Sequence, residues 1–192
     1  MQLRPHQEKA IKAMLRHDKG QVIVPTGGGK TICMIHDAIE QFKSDRLKTI
    51  VVVAPRILLA NQLCEEFLEF IDDVDVLHVH SGETHHQSTT KSQVIEEWAW
   101  ASKKNQLIFT TYHSLHKIQD ATAMLPDTVY FDEAHNATQK NFIEAVEHHS
   151  MYVVRNFFFT ATPKHSYTPF KVGMNDTDIF GGVICNVGAP KL

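Results

Sequence analysis

Short runs rich in Val, Ile, Phe and Tyr alternate with helix-period stretches along most of the chain, and this alternation is what most narrows the choice of fold. Gln21–Val24, Thr49–Ala54, Val74–Val79, Leu107–Thr111, Thr128–Phe131 and Val153–Thr160 are short and mostly continuous in hydrophobicity, as strands covered on both faces are. Between them Ile32, Ile35, Ile39 and Phe42 recur at helical spacing, and so do Leu59, Leu63, Phe67 and Phe70. Val94, Ile95 and Trp98 mark a third helix; Phe142, Ala145 and Val146 mark a fourth. Parallel strands need long crossovers, and chain chirality makes those crossovers right-handed. The expectation is an α/β domain of three layers, with six strands in a mainly parallel central sheet flanked by helices.

At 192 residues, with 43% hydrophobic and 21% charged side chains, the chain has enough apolar surface for one packed domain and too little length for two large lobes. The net charge of −3 argues against coating nucleic acid by bulk charge and leaves room for a local basic face. Cys33, Cys64 and Cys185 are odd in number and lack a CxxC pair, so a disulfide framework or zinc ribbon is not expected and a reducing, cytoplasmic setting fits. No apolar run approaches the roughly 18 residues that span a bilayer, and the start lacks the apolar stretch of a signal peptide.

Several segments read as surface. His80–Thr90 is polar enough for an exposed loop. Beyond Pro163, glycines and prolines punctuate a loop-rich end whose only short apolar run is Gly182–Cys185. Glu65, Glu66, Glu69, Asp72, Asp73 and Asp75 read as a solvated acidic face turned away from nucleic acid, offset by Arg4, Lys9, Lys12, Arg16 and Lys19. The 13 histidines include His78 and His80 on one strand face, but no pair has a third ligand at metal-binding spacing.

The chemistry concentrates at two strand ends. Gln21–Val24 runs into Pro25-Thr26-Gly27-Gly28-Gly29-Lys30-Thr31 and then into the Ile32 helix. Glycines there let backbone N–H groups turn inward to cradle phosphates at a helix N-terminus; Lys30 adds a point charge and the Thr31 hydroxyl can ligate magnesium. The strict P-loop pattern GxxxxGK[ST] has Gly where this chain has Val24. The strand Thr128–Phe131 ends in Asp132-Glu133-Ala134-His135, at the sheet edge where α/β folds bind ligands. Asp132 suits a hydrated magnesium ion, and Glu133 suits orienting or deprotonating an attacking water.

Gly27-Gly28-Gly29-Lys30-Thr31, Asp132-Glu133-Ala134-His135 and Thr160-Ala161-Thr162-Pro163, in this order, resemble the first RecA-like domain of superfamily two DExH helicases and translocases. The similarity is strongest to the branch holding type I and type III restriction motors and the phage and repair DNA helicases. It implies a RecA-like P-loop NTPase domain over residues 1–165 and a tail, 166–192, leading towards a second RecA-like domain. It further implies ATP and Mg2+ as cofactors held by Arg4, Gln7, Thr26, Gly27, Gly28, Gly29, Lys30 and Thr31. Leu3–Ile11 resembles the Q-motif, in which Gln7 reads the adenine edge and Arg4 lies near the base; an ordinary helix start after Pro5 is the other reading. Ala54–Gln62 resembles motif Ia, so Pro55, Arg56 and Gln62 are expected near a strand's phosphates. Thr110–Leu115 resembles motif Ib, with Thr111 and Tyr112 as strand contacts or Tyr112 as a core aromatic. Thr160 and Thr162 match motif III, which the resemblance links through His135 to the ATP site.

The activity implied is that of an ATP-dependent DNA helicase or translocase, with Glu133, Lys30 and Asp132 catalytic and Thr31 and Asp132 on the metal. Nothing in the chain resembles motifs IV to VI, so a second RecA-like domain in cis or trans is an expected partner, DNA is another, and a membrane is not. A nucleotide- or strand-binding module that never hydrolyses, or an RNA helicase fragment, remains the alternative.

Overall fold

In the computed structural model, residues 2–25 and 29–187 are described, so Thr26, Gly27 and Gly28 of the glycine segment lie outside the described residues. Pro5 supplies a pre-set backbone for the first turn of helix α1 (Pro5–Arg16), which feeds strand β1 (Lys19–Ile23) and then α2 (Lys30–Phe42). The chain continues through β2 (Thr49–Ala54), α3 (Ile57–Phe70), β3 (Val74–Val79), β4 (Gln87–Ser88) and α4 (Ser92–Ala101). It then forms β5 (Asn105–Thr111), α5 (Leu115–Asp120), β6 (Thr128–Phe131), α6 (Lys140–Tyr152), β7 (Arg155–Thr160), α7 (Thr177–Phe180) and β8 (Val183–Asn186).

Among the described residues the eight strands pair in parallel in the order β4-β3-β5-β2-β6-β7-β1-β8. Period-two alternation sends each strand's side chains into two cores. Ile50, Val52, Phe109, Tyr130, Phe157 and Phe159 meet α1, α2 and α3 on one face. Val51, Val53, Ile108, Phe131 and Phe158 meet helices α4 to α7 on the other. Phe131 and Phe158 stack with centroids 4.5 Å apart, tying neighbouring strands β6 and β7.

The sheet is larger than the six strands expected. β4 is two exposed polar residues, Gln87 and Ser88, paired with Leu77 and His78. The segment 80–90 is therefore not wholly loop, and its first residue, His80, is buried. The loop-rich end also contains α7 and β8, the latter pairing with β1 through Gln21, Val22 and Ile23. β7 starts at Arg155 because Val153 caps α6 instead of opening the strand. No helix among the described residues is long and apolar enough to cross a membrane.

A buried polar knot fixes the helix layer to the sheet. Asp37 of α2, with no exposed surface, accepts two bonds of 2.8 Å from the Arg155 guanidinium and one of 2.5 Å from the Tyr130 hydroxyl. Arg155 also donates to the Met14 carbonyl (3.0 Å) and the Thr128 hydroxyl (3.2 Å), and lies 4.8 Å from the Phe157 ring centroid. Burial pulls the Arg155 pKa down, but Asp37 outweighs it and the guanidinium is held charged; burial, with Asp37 beside it, pushes the Tyr130 phenol well up.

Candidate active site

Every strand named as a source of site residues delivers them at the same edge, where the carboxyl ends of β1, β2, β5, β6 and β7 lie side by side. Gly29 caps α2 with a left-handed backbone (φ 76°), a conformation that favours glycine. A Cβ there would also run into the Gln7 amide. Gln7, buried in α1, reaches across to donate to the Gly29 carbonyl (3.3 Å) while its own carbonyl accepts from the Arg4 backbone N–H (2.9 Å). The structure thus brings Gln7 to the glycine segment, with its amide carbonyl occupied by a backbone group.

Lys30 opens α2 and points at the end of β6. Its ammonium donates to Glu133 Oε1 and lies 3.1 Å from Asp132 Oδ1. Burial pulls the Lys30 pKa down, but the two carboxylates outweigh it and the net direction is up, so the group stays charged. Burial pushes the Asp132 carboxyl up and the Lys30 charge pulls it partly back. Asp132 Oδ1 is buried and has no hydrogen-bond partner beyond that ion pair. A buried oxygen left in this state suits the water shell of a hard divalent cation, which takes few protein ligands. Among the described residues no three His, Cys, Asp or Glu side chains are arranged to hold a metal by themselves.

Glu133 sits in a left-handed backbone conformation (φ 48°), a sparsely populated region for a non-glycine residue. The next turn carries His135, whose Nδ1 lies 2.9 Å from the Thr160 hydroxyl and 3.7 Å from Glu133 Oε2. The Thr160 hydroxyl also accepts from the Thr162 backbone N–H (3.1 Å). A continuous polar path therefore runs from Glu133 through His135 to Thr160 and Thr162, while the Thr162 side chain faces outward. Pro55, Arg56, Leu59, Glu133, His135 and Asn136 line one open cleft of about 390 Å3, which joins the start of α3 to the acidic strand end. Arg56 and Gln62 are exposed.

Tyr112 departs from the expected strand contact. It is buried, its ring lies between Phe131 and Phe142 (centroids 6.3 and 5.9 Å away), and its hydroxyl donates to the Asp132 carbonyl at 2.7 Å. The core-aromatic reading holds, because a strand-end tyrosine facing the helix layer is covered by α6. Thr111 is likewise buried and offers no side chain to a strand. Tyr112→Phe is expected to lower stability by about 1 kcal/mol, since it strips a donor from a buried carbonyl, measured as a shift in the urea midpoint.

On the acidic face of α3, Glu65, Glu66 and Glu69 are exposed, as a solvated face requires. Glu66 approaches the site: burial pushes its carboxyl up, a hydrogen bond from the Thr31 hydroxyl pulls it back, and the charges of Glu69 and Asp132 add to the rise. Nothing in the local pattern Cys64-Glu65-Glu66-Phe67 marks this, because it depends on α3 packing beside α2. A hollow of about 730 Å3 lies elsewhere, between α3 and the 81–88 segment. His78 and His80 share a hydrogen bond of 3.0 Å beside it, and burial pulls the His78 pKa down to about 4.

A wholly parallel sheet flanked by helices, with a lysine at the start of α2 facing a carboxylate pair at the end of β6, defines the RecA-like class of α/β domain. The chain belongs to the ResIII family, described as type III restriction enzyme, res subunit, which matches residues 1–165. The fold is similar to a nuclease-deletion mutant of the type ISP restriction-modification enzyme LlaGI in complex with a DNA substrate mimic, at TM-score 0.81 and 22% identity, covering 98% of this chain and 20% of that one. It is similar to the ATP-dependent type ISP enzyme LlaBIII bound to DNA (TM-score 0.78, 22% identity, 98% and 15% covered). The UvsW helicase from bacteriophage T4 matches at TM-score 0.67 and 15% identity over 95% of this chain and 60% of that one. The chain thus spans between 15% and 60% of the length of these structures. No curated protein matches it in sequence.

Proposed function

We propose that the chain is the nucleotide-binding half of an ATP-dependent DNA helicase or translocase, completed by a second RecA-like domain. The observation that carries this reading is the meeting of Lys30, Asp132 and Glu133 at one sheet edge, joined through His135 to Thr160. Lys30 is placed to exchange its carboxylate partners for phosphate oxygens. Asp132 and Thr31 would hold magnesium, and Glu133 would orient or deprotonate the attacking water. Magnesium and ATP together supply the activated phosphoanhydride and the neutralisation of its charge. Movement at Glu133 would reach the strand-facing side through His135 and Thr160, and Arg56, exposed in the same cleft, would meet backbone phosphates.

Two of the similar folds are restriction enzymes in complex with DNA or a DNA mimic, which favours DNA as the track over RNA. A second RecA-like domain would supply the arginine that stabilises charge on the transferring phosphoryl, a contribution worth roughly 10³- to 10⁵-fold. The chain by itself is therefore expected to hydrolyse ATP slowly. Lys30→Ala tests the core of the reading. It removes a charge-assisted contact of about 1.5–3 kcal/mol, so affinity for a fluorescent ATP analogue with magnesium should fall by about 10- to 100-fold. Unchanged affinity would show that nucleotide does not bind here.

A further inference from the structure

Beyond Thr162 the chain makes a closed turn whose base is built and whose tip is bare. Asn175 clamps it: its side-chain carbonyl accepts from the Ser166 N–H at 2.8 Å and its amide donates to the Ser166 carbonyl at 2.9 Å. The Met174 N–H donates to the Lys164 carbonyl at 2.6 Å. Gly173 permits this approach, because a Cβ there would run into the Ser166 backbone nitrogen. Met174 is fully buried, and its carbonyl accepts from the buried Gln21 amide at 2.8 Å, so the turn is anchored to β1. Across the tip the Lys171 N–H donates to the Thr168 carbonyl (3.2 Å), with Pro169 fixing the backbone between them.

This base presents Tyr167 and Phe170, which are 87% and 98% exposed, the two most exposed large apolar side chains among the described residues. A hollow of about 420 Å3 lies against Phe170, Pro169 and Lys171. Lys164, His165 and Lys171 are exposed in the same turn as the rings, and Asp176 is the one carboxylate lining the hollow. An apolar protein contact would not need exposed lysines in the same turn as the rings. Phosphates next to stacked bases do.

We propose that the Tyr167–Phe170 turn is a base-stacking platform for an unpaired nucleic-acid strand, with Lys164 and Lys171 against the flanking phosphates. This rests on the reading that the chain engages a strand, and extends it from backbone contact at Arg56 to contact with base faces. The test is fluorescence anisotropy of the chain with an end-labelled oligo-dT strand and with an abasic strand of equal length. The chain should bind the base-bearing strand more tightly. Tyr167→Ala with Phe170→Ala should cost about tenfold per ring on that strand and leave the abasic strand unaffected. Tyr167→Phe should retain the affinity, since it keeps the ring. If the double variant binds both strands as the unaltered chain does, the platform is overturned while strand binding stands, and the rings then serve a protein contact such as the second domain. If the unaltered chain binds neither strand, the strand reading itself fails and the platform with it. Both substituted side chains are exposed, so the variants should keep the thermal midpoint of the unaltered chain.

Discussion

Glu133→Gln is expected to lower ATP turnover by about 10²- to 10⁴-fold, the span a positioned general base contributes, while nucleotide affinity holds or rises. The substitution keeps the size of the side chain and its hydrogen-bonding oxygen but removes the charge that takes up a proton. It also loosens the resting grip on Lys30, which in the structure is bound by Glu133 and lies 3.1 Å from Asp132. Lys30 then meets phosphate with one charged competitor fewer, so binding should not suffer with turnover. Single-turnover phosphate release with and without single-stranded DNA, set beside a fluorescent-nucleotide titration, separates the two effects. Turnover at the unaltered rate would place the base elsewhere; equal losses in both would mean that Glu133 serves the site only as scaffold.

Asp37→Ala should lower stability by about 3–5 kcal/mol, because it leaves the Arg155 guanidinium buried without its counter-charge. The remaining partners, the Met14 carbonyl and the Thr128 hydroxyl, are neutral and cannot replace a bidentate carboxylate. The loss is read as a fall in the urea midpoint. Replacing the pair together, Asp37→Leu with Arg155→Met, should recover most of it, since apolar side chains of similar size remove the desolvation cost along with the attraction. A small loss in Asp37→Ala would mean that water enters and hydrates Arg155.

What the sequence made legible follows from how locally each feature is encoded. Lys30 and Thr31 follow a strand and open a helix, and Asp132 and Glu133 end a strand, so short patterns placed both at the ligand-binding edge of a parallel sheet. The two still had to be brought together across 103 residues, and the β6-β7-β1 order that does so could not be read from either pattern. Asp37 and Arg155 are separated by 118 residues and look, one at a time, like ordinary surface charges on a helix and at a strand start. Gln7 and Gly29, 22 residues apart, owe their contact to α1 lying along α2. Tyr112 was undecidable because the same position faces a strand or a helix according to how α6 packs. β4 escaped because Gln87 and Ser88 have no apolar pattern, and β8 because its four residues stand among glycines.

The grip of Asp132 and Glu133 on Lys30 makes these carboxylates tethered competitors. An anion arriving at Lys30 does not meet a bare ammonium; it must exchange places with counter-ions that the chain carries with it. Its affinity is a difference between two sets of ion pairs, and salt that weakens the incoming set weakens the resident one as well. Departure is assisted in the same way, because the lysine always has a partner to return to.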